Sequence, residues 1–231
     1  NEPPDHEALL AHSWRTNADA WSEAVREQRI ASRRAGTDAA IVEAVLHTNA
    51  RRVLDLGCGE GWLARALAAH GWVVVGVDGS PELISAARTL GGARFEVASY
   101  AELPGCCADL GDFDTVVCNF ALLGADLTTP LHAAHSLLHG DGTLIVQTVH
   151  PWTACGDAPY VDGWRVEAFE HFGNAFKTPM PWYFRTLASW WTAVRLGGFA
   201  VERCREPLDP ASNRPLSLLI HARVDAKEAL L

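Results

Sequence analysis

The chain has 231 residues, of which 48% are hydrophobic and 20% are charged, and its formal net charge is −9. This length and composition predict one domain, or one domain with an elaboration, that buries a sizeable core. The acidic balance argues against a nucleic-acid partner, because a phosphate backbone requires a basic face. No apolar run approaches the roughly 20 residues of a membrane span, and the polar start of the chain lacks the pattern of a secretory signal. We therefore expect a cytoplasmic protein without a membrane partner.

The six cysteines form no C-x-x-C pair. This favours free thiols in a reducing compartment over disulfides or a metal site. His132, His135 and His139 recur on one predicted helix, but no carboxylate or cysteine accompanies them, so a solvated helix face explains them better than metal ligation. We expect no metal.

Residues 6–48 are predicted to form two helices. Trp14 and Trp21 recur at helical spacing in the first of them. These tryptophans either pack against the sheet domain that follows or form a lid over a ligand, and the sequence leaves both interpretations open. Arg33 lies between the two helices, where it is either solvated or a clamp for a ligand carboxylate.

From residue 53 onward apolar strands alternate with helices, which is typical of an α/β protein. Because the strands are almost continuously apolar, we predict a Rossmann-like, mostly parallel sheet with helices on both of its faces. The first five strands are predicted at Val53–Leu56, Trp72–Val77, Ala93–Val97, Asp114–Asn119 and Thr143–Val149. Two closing strands, at 199–205 and 216–224, are predicted to pair antiparallel and to bring the total to seven.

Residues 152–185 interrupt the alternation. They show little periodicity but contain three Trp, four Phe and two Tyr, and such a long aromatic stretch is usually functional rather than an idle connection. We predict a single domain, 1–231. Its parts are an N-terminal helical lid (1–48), a ligand-binding core (49–151), an aromatic cap (152–185) and a C-terminal helix with a β-hairpin (186–231).

A glycine turn, with glycines at 57, 59 and 61, lies between the first predicted strand and its helix. This arrangement brings backbone N–H groups and a helix N-terminus close to a ligand. The third glycine follows the first by four residues, whereas the dinucleotide fingerprint G-x-G-x-x-G requires five, which speaks against a nicotinamide-dependent oxidoreductase. Asp55 precedes the turn. Asp78 ends the second strand 21 residues after Gly57 (78 − 57 = 21), which fits the spacing of about 20 residues for a ribose-binding acid.

With these residues the chain resembles the class I S-adenosylmethionine (SAM)-dependent methyltransferases. It looks most like small-molecule enzymes of the type 11/12 group and is distantly similar to ubiquinone-pathway O-methyltransferases. The resemblance implies SAM as cofactor. In that family an acidic residue often contacts adenine where this chain has Ser99, so the Ser99 hydroxyl or the Tyr100–Ala101 backbone would have to replace it. The predicted cofactor-binding residues are Trp21, Arg33, Asp55, Gly57, Cys58, Gly59, Asp78, Gly79, Ser80, Ser99, Tyr100, Ala101, Asn119 and Phe120.

His150, at the carboxyl end of the fifth predicted strand, is our candidate general base for a hydroxyl acceptor. The alternative is that it bonds the neighbouring backbone before Pro151. The predicted substrate-binding residues are Trp152, Trp164, Trp182, Tyr183 and Arg185, whose aromatic rings and one guanidinium suit a planar or an acidic molecule.

The predicted function is therefore methyl transfer from SAM to a small molecule, aromatic or acidic, with oxygen favoured over nitrogen as the acceptor. We expect a monomer or a homodimer. Two other classes remain open, a non-catalytic SAM-binding or interaction module and, less favoured, a nicotinamide-dependent oxidoreductase.

Overall fold

The computed structural model describes residues 4–225, apart from the side chains of residues 106–109. Within this range one sheet has the strand order β3-β2-β1-β4-β5-β9-β8. Neighbouring strands from β1 to β5 are parallel, and β9 runs antiparallel to both β5 and β8. The prediction of a seven-stranded, mostly parallel sheet is therefore confirmed. The strands of this sheet are β1 Arg52–Leu56, β2 Val73–Asp78, β3 Arg94–Val97, β4 Phe113–Asn119, β5 Leu138–Val149, β8 Phe199–Arg205 and β9 Ser217–Val224.

Helices cover both faces of the sheet. Alternate residues of a strand point to opposite faces, and β1 shows the consequence. Val53 belongs to a buried cluster with Ile41, whereas Leu54 and Leu56 belong to a second cluster with Leu131. The strands read as continuously apolar because both faces are buried. The α-helices are α1 His6–Thr16, α2 Ala18–Arg26, α3 Asp38–Leu46, α4 Trp62–Ala69, α5 Pro81–Leu90, α6 Leu103–Leu110, α7 Thr128–Leu137, α8 Pro151–Cys155 and α9 Leu187–Leu196.

The order of the strands reverses beside β1, which lies between β2 and β4. At such a switch point the connections leave towards opposite faces and open a crevice at the carboxyl ends of the strands. The glycine turn follows β1 directly, so it lies at the edge of this crevice.

The N-terminal region differs from its prediction of two helices. The chain forms α1 and α2, a π-helical turn at Arg33–Thr37 and then α3. The break between α1 and α2 falls at Asn17, whose side chain is bonded to the cap instead of continuing an exposed helical surface. Its Oδ1 accepts from the Lys177 N–H at 2.8 Å, and its Nδ2 donates to the Thr178 carbonyl at 2.7 Å.

The aromatic cap contains structure that the sequence did not predict. An antiparallel pair, β6 Gly163–Glu167 and β7 Met180–Phe184, forms a second sheet, and a 3₁₀ turn at Glu170–Phe172 lies between its strands. Leu10 of α1 is buried against Phe169 and Met180 of the cap, and Trp14 and Trp21 pack against this cluster. The lid and the cap are therefore packed on each other.

Asn17→Ala tests the bond between the lid and the cap. The substitution removes the bonds to the partly buried backbone groups of Lys177 and Thr178, so we expect the free energy of unfolding to fall by about 1 kcal/mol. Urea denaturation of the variant measures this loss. Asn174→Ala, at an exposed position of the cap, is the matched control and should change little. Equal stability of the two variants would contradict a structural role for Asn17.

Candidate functional site

The glycine turn is shaped by contacts on both of its sides. Gly57 and Gly59 have φ values of 77° and 57°, in the left-handed region that favours glycine. The N–H of Gly57 donates to the Val77 carbonyl of β2 at 2.8 Å. A Cβ added at Gly57 would lie 2.4 Å from the Cβ of Ala121, in the loop after β4, whereas a Cβ at Gly59 would meet no atom within 4 Å. The turn is thus clamped at Gly57 and leaves open space at Gly59.

A cavity of about 880 Å³ lies over this turn. Its walls come from the carboxyl ends of the strands, from the lid and from the cap. The predicted residues that line it are Trp21, Arg33, Gly57, Cys58, Gly59, Asp78, Gly79, Ser80, Ser99, Tyr100, Asn119, Phe120 and Trp182. The predicted residues outside its lining are Asp55, Ala101, His150, Trp152, Trp164, Tyr183 and Arg185.

Asp78 holds the turn from the carboxyl end of β2. Its Oδ2 accepts from the Gly59 N–H at 2.9 Å, and its Oδ1 accepts from the Ser80 N–H at 2.8 Å. Burial raises the pKa of Asp78, and the two backbone bonds oppose this. Because a carboxylate has about four acceptor positions, Asp78 keeps acceptor capacity for hydroxyl groups in the cavity.

Two further carboxyl groups are buried near Asp78. Asp55 is 1% exposed and its Oδ2 has no hydrogen-bond partner in the described part of the chain. Burial, together with the charges of Asp78 and Glu60, raises the pKa of Asp55 to about 7, although the Ala64 N–H in the first turn of α4 opposes the shift. Glu60 pairs with Arg65 through Oε2 at 2.6 Å, while its buried Oε1 is unpartnered in residues 4–225. The buried acids Asp55 and Glu60, together with the half-buried Asp78, fit a positively charged ligand.

The corner predicted to contact adenine keeps Ser99 on the cavity wall. The Glu102 carboxylate accepts from the Ser99 N–H at 2.8 Å and from its hydroxyl at 2.7 Å, so an acid lies next to the expected acidic position although it does not line the cavity. The Tyr100 hydroxyl donates to the Ala121 carbonyl at 3.0 Å. Ala101 lies outside the lining, which leaves the Ser99 hydroxyl and Tyr100 as the predicted residues at this corner.

The structure favours the structural interpretation of His150. Its Nδ1 accepts from the Trp152 N–H at 3.2 Å and thereby caps α8, while its Nε2 lies 2.7 Å from the Glu206 carboxylate. The side chain is buried and both ring nitrogens are engaged away from the cavity. Both ring nitrogens therefore have partners within the protein, which favours the structural interpretation, and the general-base role of His150 stays a prediction.

Arg185 is also engaged within the protein. It is 6% exposed, and its Nη2 donates to the carbonyls of Gly124 and Ala125 at 2.7 and 2.6 Å. Desolvation lowers its pKa. The guanidinium lies 4.7 Å over the Tyr183 ring. Arg185 thus fixes the segment that precedes α7 and lies outside the cavity lining. Its buried Nη1 has no hydrogen-bond partner among the described residues, and its role with a substrate stays a prediction.

The aromatic residues of the cap divide between the cavity and the surface. Trp182 lines the cavity. Trp164 stacks on His6 of the lid at 4.9 Å, and Trp152 is 56% exposed beneath the guanidinium of Arg214. Trp152 and Trp164 thus lie outside the lining of this cavity, and their role in binding a substrate stays a prediction.

Several lining residues were not predicted individually. They come from α1, from the loop after β4 and from the cap, and include Glu7, Leu10, Trp14, Leu122, Leu123, Asp126, Glu167, Phe169, Phe172 and Met180. The aromatic composition of 152–185 was the available signal for Phe169 and Phe172. No local pattern indicates Leu122 or Met180, which reach the cavity only through the tertiary fold.

Cys58, Cys118, Cys155 and Cys204 are free thiols, and burial raises the pKa of the Cys58 thiol. The side chains of Cys106 and Cys107 lie outside the described residues. Among the side chains that are described, no group of three or more His, Cys, Asp or Glu is placed to hold a metal ion. No helix within residues 4–225 is long and apolar enough to cross a membrane.

Comparison with known proteins agrees with this geometry. Residues 53–142 match the family model described as a methyltransferase domain. A ubiquinone biosynthesis O-methyltransferase of Xanthomonas oryzae pv. oryzae is 34% identical over 115 residues, which cover 47% of this chain and 47% of that protein. The chain thus spans about half the length of this curated relative.

Solved structures share the fold over most of the chain. A SAM-dependent methyltransferase from Mesorhizobium loti has a TM-score of 0.58 and 25% identity, covering 80% of this chain and 96% of that one. The Burkholderia thailandensis 1,6-didemethyltoxoflavin-N1-methyltransferase, with bound 1,6-didemethyltoxoflavin and S-adenosylhomocysteine (SAH), has a TM-score of 0.62 and 21% identity, covering 97% and 93%.

The strand order and the cavity over the glycine turn are those of a Rossmann-like methyltransferase fold. Residues 53–142 are accordingly a SAM-dependent methyltransferase domain, and SAM is its cofactor. The resemblance deduced from the glycine spacing and from Asp78 is confirmed at this level.

Asp55→Asn tests the acid beneath the turn. The pKa of Asp55 is about 7 in the folded protein, against an ordinary value of 3.8. Between these two pH values the ligand-free folded protein holds a proton on Asp55 that the unfolded chain has lost. The free energy of unfolding therefore falls as the pH rises from 3.8 to about 7. A cationic ligand favours the ionised form. SAM affinity should therefore rise from about pH 6 to about pH 8, because below the pKa binding must first release the proton.

Isothermal titration calorimetry of the wild type and of Asp55→Asn across this range measures the effect. Dividing the two dissociation constants at each pH cancels the titration of SAM itself, so the ratio isolates Asp55. We expect the SAM affinity of the wild type, relative to that of Asp55→Asn, to increase as the pH rises. A ratio that is independent of pH would contradict the assignment.

Proposed function

We propose that this protein transfers the methyl group of SAM to a small planar molecule held beneath the aromatic cap. The observation that carries the proposal is the single cavity that joins the glycine turn to a wall of Trp14, Trp21, Phe169 and Trp182. A site that is mostly apolar, with a few convergent polar groups, is typical of small-molecule binding.

The residues of the cofactor half fit SAM. When bound, SAM supplies a methyl group carried by a positively charged sulfur. The open backbone at Gly59 allows close approach of a ligand, and Asp78 has acceptor capacity for ribose hydroxyls. The buried carboxyls of Asp55 and Glu60 favour positive charge. The chain's own contribution to catalysis is to align the two ligands and exclude water, which accounts for much of the rate of a displacement.

The lining of the substrate half favours an aromatic over an acidic molecule. Arg185, the side chain that suggested an acidic group, donates to two carbonyls and lies outside the lining. Glu7, Asp126 and Glu167 outnumber the one cation, Arg15, among the charged lining residues of α1, the segment before α7 and the cap, and like charges disfavour an anion. Indole and phenyl faces bind planar rings with ring centroids about 4.5–7 Å apart. A planar molecule that is neutral or cationic suits these walls.

The proposal covers oxygen and nitrogen acceptors alike. The preference for oxygen rested on His150 as a base, and His150 is engaged with Glu206 and the α8 backbone. The relatives include both kinds, an O-methyltransferase of ubiquinone biosynthesis and an N1-methyltransferase. A nitrogen acceptor with a free lone pair needs no general base.

SAH and NADH separate the proposed cofactor from the dinucleotide alternative. At about 100 times its dissociation constant a ligand adds about 2.7 kcal/mol of stability, so SAH should raise the melting temperature by about 5–10 °C, whereas NADH should not. Asp78→Asn should reduce the shift. Glu96→Gln serves as its control, because Glu96 is a half-buried acid of β3 that lies outside the cavity lining. Stabilisation by NADH alone would overturn the proposal.

Trp182→Ala and Trp152→Ala form a matched pair that tests the substrate half. The assay measures transfer of isotope-labelled methyl from SAM into a low-molecular-mass metabolite extract. Trp182 lines the cavity and Trp152 is exposed, so only Trp182→Ala should lose incorporation while both retain SAH binding. If the wild type binds SAH but labels no small molecule, the non-catalytic SAM-binding module is favoured instead.

A further inference from the structure

A network of hydrogen bonds centred on the buried side chain of Gln147 lies at the carboxyl end of β5. Gln147 is 1% exposed, and Thr37 and Ser217 are fully buried. The Gln147 Nε2 donates to the Thr37 carbonyl at 3.0 Å and to the Asn119 Oδ1 at 2.7 Å, and its Oε1 accepts from the Ser217 hydroxyl at 3.0 Å. No step of the proposed reaction uses Gln147.

The hydrogen bond to the Thr37 carbonyl fixes the orientation of the side-chain amides of Gln147 and Asn119. A carbonyl oxygen only accepts, so the end of Gln147 that faces Thr37 must be its NH₂ group. The same NH₂ group lies 2.7 Å from the side chain of Asn119, so the nearer end of Asn119 must be its oxygen. The Asn119 NH₂ group therefore points away from Gln147.

This orientation matters because Asn119 lines the cavity. Its Nδ2 makes no hydrogen bond to any residue of the described chain, which leaves two N–H donors free for a ligand. The backbone next to it is held by the same residue, since the N–H of Phe120 donates to the Gln147 carbonyl at 2.8 Å. Phe120 has a φ of 52°, a conformation that a bulky residue adopts only when its surroundings impose it.

The other arm of Gln147 reaches the segment that carries Arg33. Thr37 ends the π-helical turn Arg33–Thr37, and Arg33 lines the cavity. Its Nε donates to both oxygens of the Asp38 carboxylate, at 2.8 and 3.0 Å, and its guanidinium lies 4.3 Å over the Trp62 ring. Within residues 4–225 its two terminal nitrogens make no hydrogen bond, so Arg33 is held in place but its terminal donors are free.

We propose that Gln147 is a positioning residue that assembles a carboxylate-binding subsite from the Asn119 NH₂ group and the Arg33 guanidinium. The inference rests on the proposed function and assigns this subsite to the carboxylate of the amino acid end of SAM. A carboxylate accepts hydrogen bonds and donates none, so it matches a pair of free donors of which one is a cation. The amino and sulfonium groups of the same ligand match the buried acids Asp55 and Glu60 instead.

A pair of ligands isolates the subsite. SAH carries the amino acid end, whereas 5′-methylthioadenosine shares its adenosine and sulfur but lacks that end. Isothermal titration calorimetry with both ligands gives their affinity ratio for each protein. Gln147→Met keeps the size of the side chain but removes the bonds to Thr37 and Asn119. We expect it to weaken SAH binding about ten-fold, the loss expected for a charge-assisted hydrogen bond, and to leave 5′-methylthioadenosine unchanged.

Two further variants separate positioning from packing. Ser217→Ala removes only the bond on the far side of Gln147 and should keep the affinity ratio near that of the wild type. Asn119→Asp still accepts from Gln147 but presents an oxygen to the cavity, so it should lower the ratio further than Gln147→Met. Asn119→Asp also tests the subsite if Gln147→Met does not fold.

Each outcome decides one question. Selective loss of SAH affinity in Gln147→Met and Asn119→Asp supports the subsite. Loss of both ligands to the same extent, or of neither, overturns the role of Gln147 while the cofactor assignment stands. If the wild type does not bind SAH at all, the proposed function is wrong and the subsite falls with it.

Discussion

The carboxylate of Asp78 is the contact on which the site depends. It accepts one backbone N–H from the glycine turn and one from the start of α5, and so joins the ends of β1 and β2. The register between these strands, with Leu56 opposite Val77, brings their carboxyl ends to the same edge. The cost is electrostatic, because burial and, after it, the charge of Asp78 raise the pKa of the neighbouring Asp55. A positively charged ligand relieves this repulsion, so the interaction that shapes the turn also selects the charge of what binds there.

The walls of the cavity that come from the lid and the cap depend on contacts between segments far apart in sequence. Asn17 interrupts the N-terminal helix to bond the backbone of Lys177 and Thr178, and Trp21 packs edge-on against Phe169 and Phe176. Neither the lid nor the cap has a large core of its own. Each buries its aromatic surface against the other, and the cavity lies where they meet the carboxyl ends of the strands. Trp14 and Trp21 thus pack against the cap instead of the sheet domain and line the cavity, and their role in covering a bound cofactor stays a prediction.

Sequence reasoning succeeded where a local pattern determines the structure. The central strands were placed because burial on both faces makes them continuously apolar, and the cofactor class followed from the spacing of three glycines and Asp78. It does not find the partners of side chains that bond to distant segments. His150 meets Glu206, 56 residues away, and Arg185 meets the carbonyl of Gly124, 61 residues away. A charged side chain at the end of a strand has the same sequence signature whether it faces a ligand or a remote loop, so only the fold separates the two. The β6–β7 pair was missed for a related reason, since its pairing within the cap leaves no clear alternation in the sequence.

The cofactor half has buried acids on one side and hydrogen-bond donors on the other, and only the acids are indicated by a motif in the sequence. The acids stand in or beside the glycine motif, where Asp55 and Glu60 are visible from their positions next to the turn. The donors are set by Gln147, an ordinary polar residue near the end of an apolar strand, whose importance appears only when its amide is followed to Thr37 and Asn119. A ligand with an ammonium and a carboxylate on one carbon needs both polarities within a few ångströms. The fold places the acids on β1 and its turn and the donors on β4 and the lid, and Gln147 of β5 bonds to Asn119 and to the Thr37 carbonyl.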